Sequence, residues 1–197
     1  MKKKAVAVVM TAVMALGMVS AVSVQAGIED KTLIVGFDAE YPPYGYMDEN
    51  GEYTGFDLEL AQAVCDLEGW ELEKKPINWD SKDMELNSGS IDCIWNGFTM
   101  NGREDDYTFS EPYVDNSQVI VVADDSGIEK LTDLAGKTVG VQAASAALDL
   151  LQSEEEGGQK ELADTFGALN EFADYNTAFT ELQAGALDAL AIDVGVA

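Results

Sequence analysis

Residues 31–79 read KTLIVGFDAEYPPYGYMDENGEYTGFDLELAQAVCDLEGWELEKKPINW, and their hydrophobic period changes from two to 3.6 and back. KTLIVGF (31–37) is a short β-branched run closed by Asp38, which predicts a strand. AEYPPYGYMDENGEYTG is rich in Pro, Gly and aromatics and reads as a loop or tight hairpin. In FDLELAQAVCDLEGW, Phe56, Leu58, Leu60, Ala61, Val64, Cys65 and Leu67 fall largely on one helical face, and Gly69 ends the helix. WELEKKPINW is a second strand. SKDMELNSG is a short helix that Ser81 can cap, and SIDCIWNGF is a further apolar strand. Strand–helix–strand alternation of this kind predicts βαβ units around a mainly parallel sheet.

A second such series follows FSEPYVDNS. QVIVVA, KTVGVQ and ALDALAID predict strands, and ALNEFADYN a strand or extended segment. IEKLTDLAG predicts a short helix stopped by Gly136, ASAALDLLQSEEE a helix opening at or near Ser145, and TAFTELQAG another helix. The expected organisation is therefore two α/β blocks, 27 to about 116 and about 117 to 197, meeting near VDNSQ. Two such blocks enclose a cleft, a common place for a small-molecule site. The last strand stops without a closing helix, which would leave a sheet face uncovered, so the chain is expected to be a fragment of a longer protein.

Ahead of the first block, MKKKAVAVVMTAVMALGMVSAVSVQA (1–26) combines three lysines, an apolar stretch of small residues and an A-x-A-like end at Val24-Gln25-Ala26. It reads as a secretory signal peptide. The alternative, a membrane anchor, lacks a basic stop-transfer flank. No cysteine is present in this stretch to carry a lipid. The mature protein is expected to be exported, to a periplasm or to the extracellular space. A net charge of −26, from 37 carboxylates against ten lysines and one arginine, disfavours nucleic acid and anionic membrane surfaces as partners. The chain has no histidine, which removes Ser-His, Cys-His and His-metal arrangements, and no cofactor or metal is expected. Cys65 and Cys93 stand apart with no C-x-x-C. Export would permit a disulfide between them, and their apolar surroundings equally fit two buried free thiols.

The single arginine is the most informative charge. Asn96 and Gly97 end an apolar strand, Thr99 follows, and Arg103 comes next in the same turn region. Ligands of open α/β sheets lie at the carboxyl ends of the strands, and a guanidinium fork matches a carboxylate bidentately. The competing reading is a surface pairing with Glu104, Asp105 or Asp106, of little energetic value. Asp38 ends the first strand at the same side. Tyr41 and Tyr44 flank two prolines and could stack on a ligand, whereas Tyr46 is expected to pack beneath the loop. Trp79 supplies either an opposing face or a core indole. In VGVQAASAA a strand runs into a helix N-terminus at Ser145 and Ala146, a setting that suits an anion. Asp193, at the end of the last strand, could receive an ammonium group or cap a following helix. One Arg, a strand-end Asp from each block, aromatics and a helix N-terminus together suit a zwitterion, an α-amino acid.

At these residues the chain resembles the extracellular solute-binding proteins (family 3) of polar amino-acid ABC transporters. The resemblance rests on LIVGFDAEYPPYGY, GEYTGFDLELAQAV, NSGSIDCIWNGFTMNGRE, FSEPY, DLAGKTVGVQAASAA and LQAGALDALAID, and covers essentially all of 27–197. It implies a two-lobe, type II periplasmic-binding-protein-like α/β fold with the ligand cleft between lobes. It also implies a monomer that binds a free amino acid, closes on it, and is read by a membrane permease. By resemblance, Arg103 clamps the ligand carboxylate, and Gly97 and Thr99 bind the α-amino and carboxylate groups. Tyr41 stacks on the side chain, Trp79 closes the other side, and Asp38 meets a polar side chain. Ser145 and Ala146 donate backbone N–H groups, and Asp193 takes the ammonium. Two features depart from the family pattern. Gly97 and Arg103 are six apart where seven is usual, and Ala144-Ser145 stands where the family has Gly-Thr or Gly-Ser. The remaining alternatives are a ligand-sensing receptor domain and an enzyme on the same scaffold, such as a dehydratase.

Overall fold

A computed structural model describes residues 31–197. The segment 1–26, expected to be a signal peptide, lies outside the described residues. The first unit contains β1 (Thr32–Phe37), β2 (Glu40–Tyr41), β3 (Gly45–Met47), β4 (Tyr53–Thr54), α1 (Phe56–Glu68), β5 (Glu71–Pro76), α2 (Lys82–Asn87) and β6 (Cys93–Ile94). Its main sheet is all parallel, in the order β5-β1-β6, while β2-β3-β4 form a small antiparallel meander where a loop or hairpin was expected. The second unit contains β7 (Gln118–Val122), β8 (Thr138–Gln142), α3 (Ala146–Gln152), α4 (Lys160–Ala163), β9 (Ala168–Phe172), α5 (Tyr175–Gln183) and β10 (Ala189–Asp193). Its sheet runs β7-β10-β8-β9, parallel except for the antiparallel β7.

Each unit has its own apolar centre. Leu33, Val35 and Phe37 of β1 pack on Leu58, Ala61 and Cys65 of α1. Val139 and Val141 of β8, with Ala189 and Ala191 of β10, pack on Ala147, Leu148 and Leu151 of α3. A third cluster joins the units. Tyr41 and Tyr44 from the meander pack with Tyr175, Ala178, Leu190 and Ile192 of α5 and β10.

Several local expectations were corrected. The buried stripe of α1 is narrower than its apolar content, and Leu67 is 85% exposed. Leu67 lies about two and a half turns beyond Leu58, which puts it on the opposite face. Ser81 does not cap α2; its hydroxyl donates to Asp80 Oδ1 at 3.1 Å. A 3-10 turn, Trp79–Ser81, runs directly into α2, so Ser81 already has near-helical dihedrals (φ −97°, ψ 1°) rather than the extended cap conformation. The segment expected as a helix before Gly136 is a 3-10 turn, Leu131–Leu134. The helix opening at Ser145 ends at Gln152 instead of running into the glutamates, and α4 follows in a stretch that carried no pattern. The apolar run 90–98 contributes only Cys93–Ile94 to the sheet. Both cysteines are free thiols, Cys65 buried and Cys93 half-buried.

Candidate functional site

The carboxyl ends of β1, β6, β8 and β10 converge between the two units. Tyr41, Trp79, Asn96, Gly97, Phe98, Thr99, Arg103, Gln142, Ser145, Ala146 and Asp193 line one narrow cavity there. Nine of the ten residues singled out from the sequence are in that lining. The tenth, Asp38, stands behind it: its carboxylate accepts from Gln142 Nε2 at 2.6 Å and from the Glu40 amide at 2.8 Å.

Each wall has a local reason. Asn96 is buried because its side-chain oxygen accepts from the Asp38 amide at 3.0 Å, which ties the end of β1 to the chain leaving β6. Gly97 takes φ +57°, a left-handed turn natural to glycine, and this swings Phe98 and Thr99 into the cleft. Ser145 caps α3 by accepting from the Leu148 amide at 3.2 Å. Ala144, just before it, also sits in the left-handed region at φ +54°, where an L-residue with a Cβ is strained. This is the position at which the sequence departs from Gly-Ser or Gly-Thr, and the fold keeps the glycine-like backbone.

Arg103 does not pair with its acidic neighbours in sequence. It points inward, with its side chain 11% exposed, and reaches the second unit. Its Nη2 donates to Asp149 Oδ2 at 2.6 Å and to the Ala144 carbonyl at 3.3 Å, and Nη1 donates to the Thr99 carbonyl at 3.3 Å. The guanidinium lies 4.8 Å from the centre of the Phe98 ring. Asp193 is buried and accepts from Asn116 Nδ2 at 2.7 Å and Gln118 Nε2 at 2.6 Å, with the Tyr175 hydroxyl at 3.4 Å. It is thus a buried acceptor held by polar side chains. Its main-chain oxygen accepts from the amides of Val196 and Ala197.

The aromatics divide. Tyr41 stacks on Tyr44, ring centres 5.4 Å apart, and leans on Tyr175 at 5.9 Å. Burial, and then the charge of Asp193, push the Tyr41 hydroxyl far above its ordinary range, so it remains a neutral donor. Tyr44 is buried behind Tyr41, and Tyr46 is half-buried in β3. Trp79 is 7% exposed, edge-on to Phe98 at 5.4 Å, and part of the lining. Burial raises the Asp38 carboxyl, against the lowering effects of the Glu40 amide and Gln142. Phe98 and Gln142 were not foreseen. Gln142 ends β8 as Asp38 and Asp193 follow or end their own strands, so the strand-end argument would have found it. Among the described residues no group of three His, Cys, Asp or Glu side chains is placed to hold a metal.

A half-buried cation and a buried anion thus lie in one cleft between two α/β units, with aromatic walls. The chain matches the bacterial extracellular solute-binding proteins, family 3, over residues 33–193, and belongs to that family. It is 38% identical to the arginine-binding extracellular protein ArtP of Bacillus subtilis over 70% of this chain and 51% of that one. It is 32% identical to the L-cystine-binding protein TcyJ of Escherichia coli K12, over 92% and 69% of the two chains. Among solved structures, an ABC uptake transporter substrate-binding protein from Streptococcus pneumoniae with bound histidine superposes at TM-score 0.78. The two are 35% identical, and the match covers 84% of this chain and 67% of that one. An ancestral amino-acid-binding protein, AncCDT-1, a precursor of cyclohexadienyl dehydratase, superposes at 0.77 with 32% identity, over 85% and 72%. The chain therefore spans 51–72% of the length of these relatives, and its fold is the two-lobed type II fold.

Proposed function

We propose that this protein binds one free α-amino acid between its lobes and delivers it to the permease of an ABC transporter. The observation that carries the reading is the placement of Arg103, largely withdrawn from solvent, and the oppositely charged, buried Asp193 in the lining of one cavity with Tyr41, Trp79 and Phe98. Carboxylate meets Arg103 and the α3 N-terminus at Ser145 and Ala146. Ammonium meets Asp193 and Thr99. The side chain runs toward Gln142, whose amide nitrogen is held by the Asp38 carboxylate and the Ala173 carbonyl, which leaves its amide oxygen as the acceptor, so a side chain bearing N–H donors is preferred. The lobes divide near residue 116, and the protein works in its exported form as a monomer, without a cofactor.

A receptor sensor and an enzyme on the same scaffold are the other readings. The precursor relation of AncCDT-1 to a dehydratase keeps the enzyme in view. Binding is favoured because the chain has no histidine, and because Asp38 and Asp193 are each engaged by two or more donors in place of standing free for proton transfer. Isothermal titration of the twenty amino acids tests the reading, with mass spectrometry of the recovered ligand to detect turnover. Arg103→Ala should weaken binding by roughly 2–5 kcal/mol, the cost of removing one partner of a desolvated charge pair. Unchanged affinity in that variant would place the carboxylate elsewhere.

A further inference from the structure

Lys82 is the first residue of α2, on the first lobe, and is only 5% exposed. A buried ammonium ordinarily has a carboxylate beside it, because leaving an ion desolvated and unpaired is costly. Among the described residues Lys82 has no ion-pair partner. Its one hydrogen bond crosses the cleft to the Ala144 carbonyl at 3.4 Å, and its Nζ lies 5.3 Å from the centre of the Trp79 ring. Trp79 lines the cavity, and the same Ala144 oxygen accepts from Arg103 Nη2 at 3.3 Å. Two lobe-1 cations therefore converge on one oxygen at the mouth of α3, with a single carboxylate, Asp149, bonded to only one of them. Two of the three ammonium protons of Lys82 have no acceptor there. Burial lowers the Lys82 pKa first; the nearby charges of Asp83, Asp149 and Asp80 oppose this, while Arg103 adds to it.

We propose that Lys82 is a second cationic ligand contact, which with Arg103 receives the carboxylate of the bound amino acid. The inference rests on the amino-acid reading given above. A ligand carboxylate placed between the two cations fills the free donors of Lys82 and supplies the missing counter-charge. It also lets Arg103 exchange its internal partner, Asp149, for the ligand. The rival role is a purely structural one, in which Lys82 simply bridges the lobes to Ala144.

The test compares a free amino acid with its C-terminal amide, which keeps the side chain and ammonium but has no carboxylate. In practice this means titrating L-arginine and L-argininamide, with L-histidine and L-histidinamide as a second pair, into the full-length protein. Lys82→Met should weaken binding of the free acid roughly 10- to 100-fold, the worth of a hydrogen bond to a charged group. Its affinity for the amide should stay within about threefold of the wild type, since the amide offers no charge to lose. Lys82→Arg should recover most of the acid affinity. Lys82→Gln, one atom shorter and with uncharged amide donors, should behave as Lys82→Met and serves if the methionine variant folds poorly. Equal losses for acid and amide would show a lobe-bridging residue and overturn the proposal, as would no loss for either. If the wild type bound neither free acid nor any other amino acid, the amino-acid reading itself would fall, and this inference with it.

Discussion

Ala144→Gly is expected to make the protein more stable. Ala144 has φ +54°, and apart from Lys31 it is the one non-glycine with positive φ among the described residues. Holding an L-residue with a Cβ in the left-handed region costs about 1–2 kcal/mol. Glycine relieves that strain but loses about 0.5–1 kcal/mol of additional chain entropy on folding. Ala144 is only half-buried, so little packing is lost with its methyl. The net gain is then about 0.5–1 kcal/mol, or roughly 1–4 °C in Tm at about 2–4 °C per kcal/mol for a chain of this size. Ala143→Gly is the internal control: it has ordinary φ and is also half-buried, so it carries the entropy cost without the relief. The two variants should differ by about 1–2 kcal/mol in urea denaturation, with Ala144→Gly the more stable. Equal destabilisation by both would refute the argument that this turn is strained.

Gly55 has φ +126° at the N-terminus of α1, and a Cβ there would overlap the Tyr44 carbonyl. Gly55→Ala should therefore cost more than about 2 kcal/mol in a chemical melt, through combined strain and overlap; a loss under about 0.5 kcal/mol would contradict that geometry. Burial pushes the Asp57 carboxyl up to about 6, despite the Tyr113 hydroxyl donating to its Oδ1 at 2.9 Å. The folded state thus holds a proton that an unfolded Asp, with a pKa of about 3.9, has released. Stability should fall as pH rises from about 4 to about 6, by at most about 3 kcal/mol at ~1.4 kcal/mol per unit, and then level off. Asp38, also raised by burial, contributes a fall of the same sign, so in Asp57→Asn the slope in pH-dependent urea melts should shrink to the Asp38 share; an unchanged slope would assign the effect to another group.

The sequence carried the alternation of elements, because β1, α1, β5, β8 and β10 each have a strong period and a clear punctuating residue. It carried most of the candidate site as well, since Asp38, Asn96 and Asp193 mark strand ends and strand ends converge. What it could not carry was set by tertiary contact. Arg103 has three acidic neighbours in the chain, and its partner Asp149 lies on the other lobe, 46 positions away. Nothing local shows that Trp79 and the Ala144 turn close over Lys82. The short β6 and the 3-10 turn at Leu131–Leu134 were misjudged for another reason. Apolar content gives burial, but it does not say whether a backbone finds a pairing neighbour.

The most direct measurement is a thermal melt of the full-length protein with each of the twenty amino acids. A ligand at about a hundred times its Kd adds about 2.7 kcal/mol, roughly 5–10 °C at about 2–4 °C per kcal/mol. The account predicts such a rise with one or a few amino acids, those with N–H donors on the side chain among them, and its loss in Arg103→Ala. A melting temperature unmoved by every amino acid would contradict it.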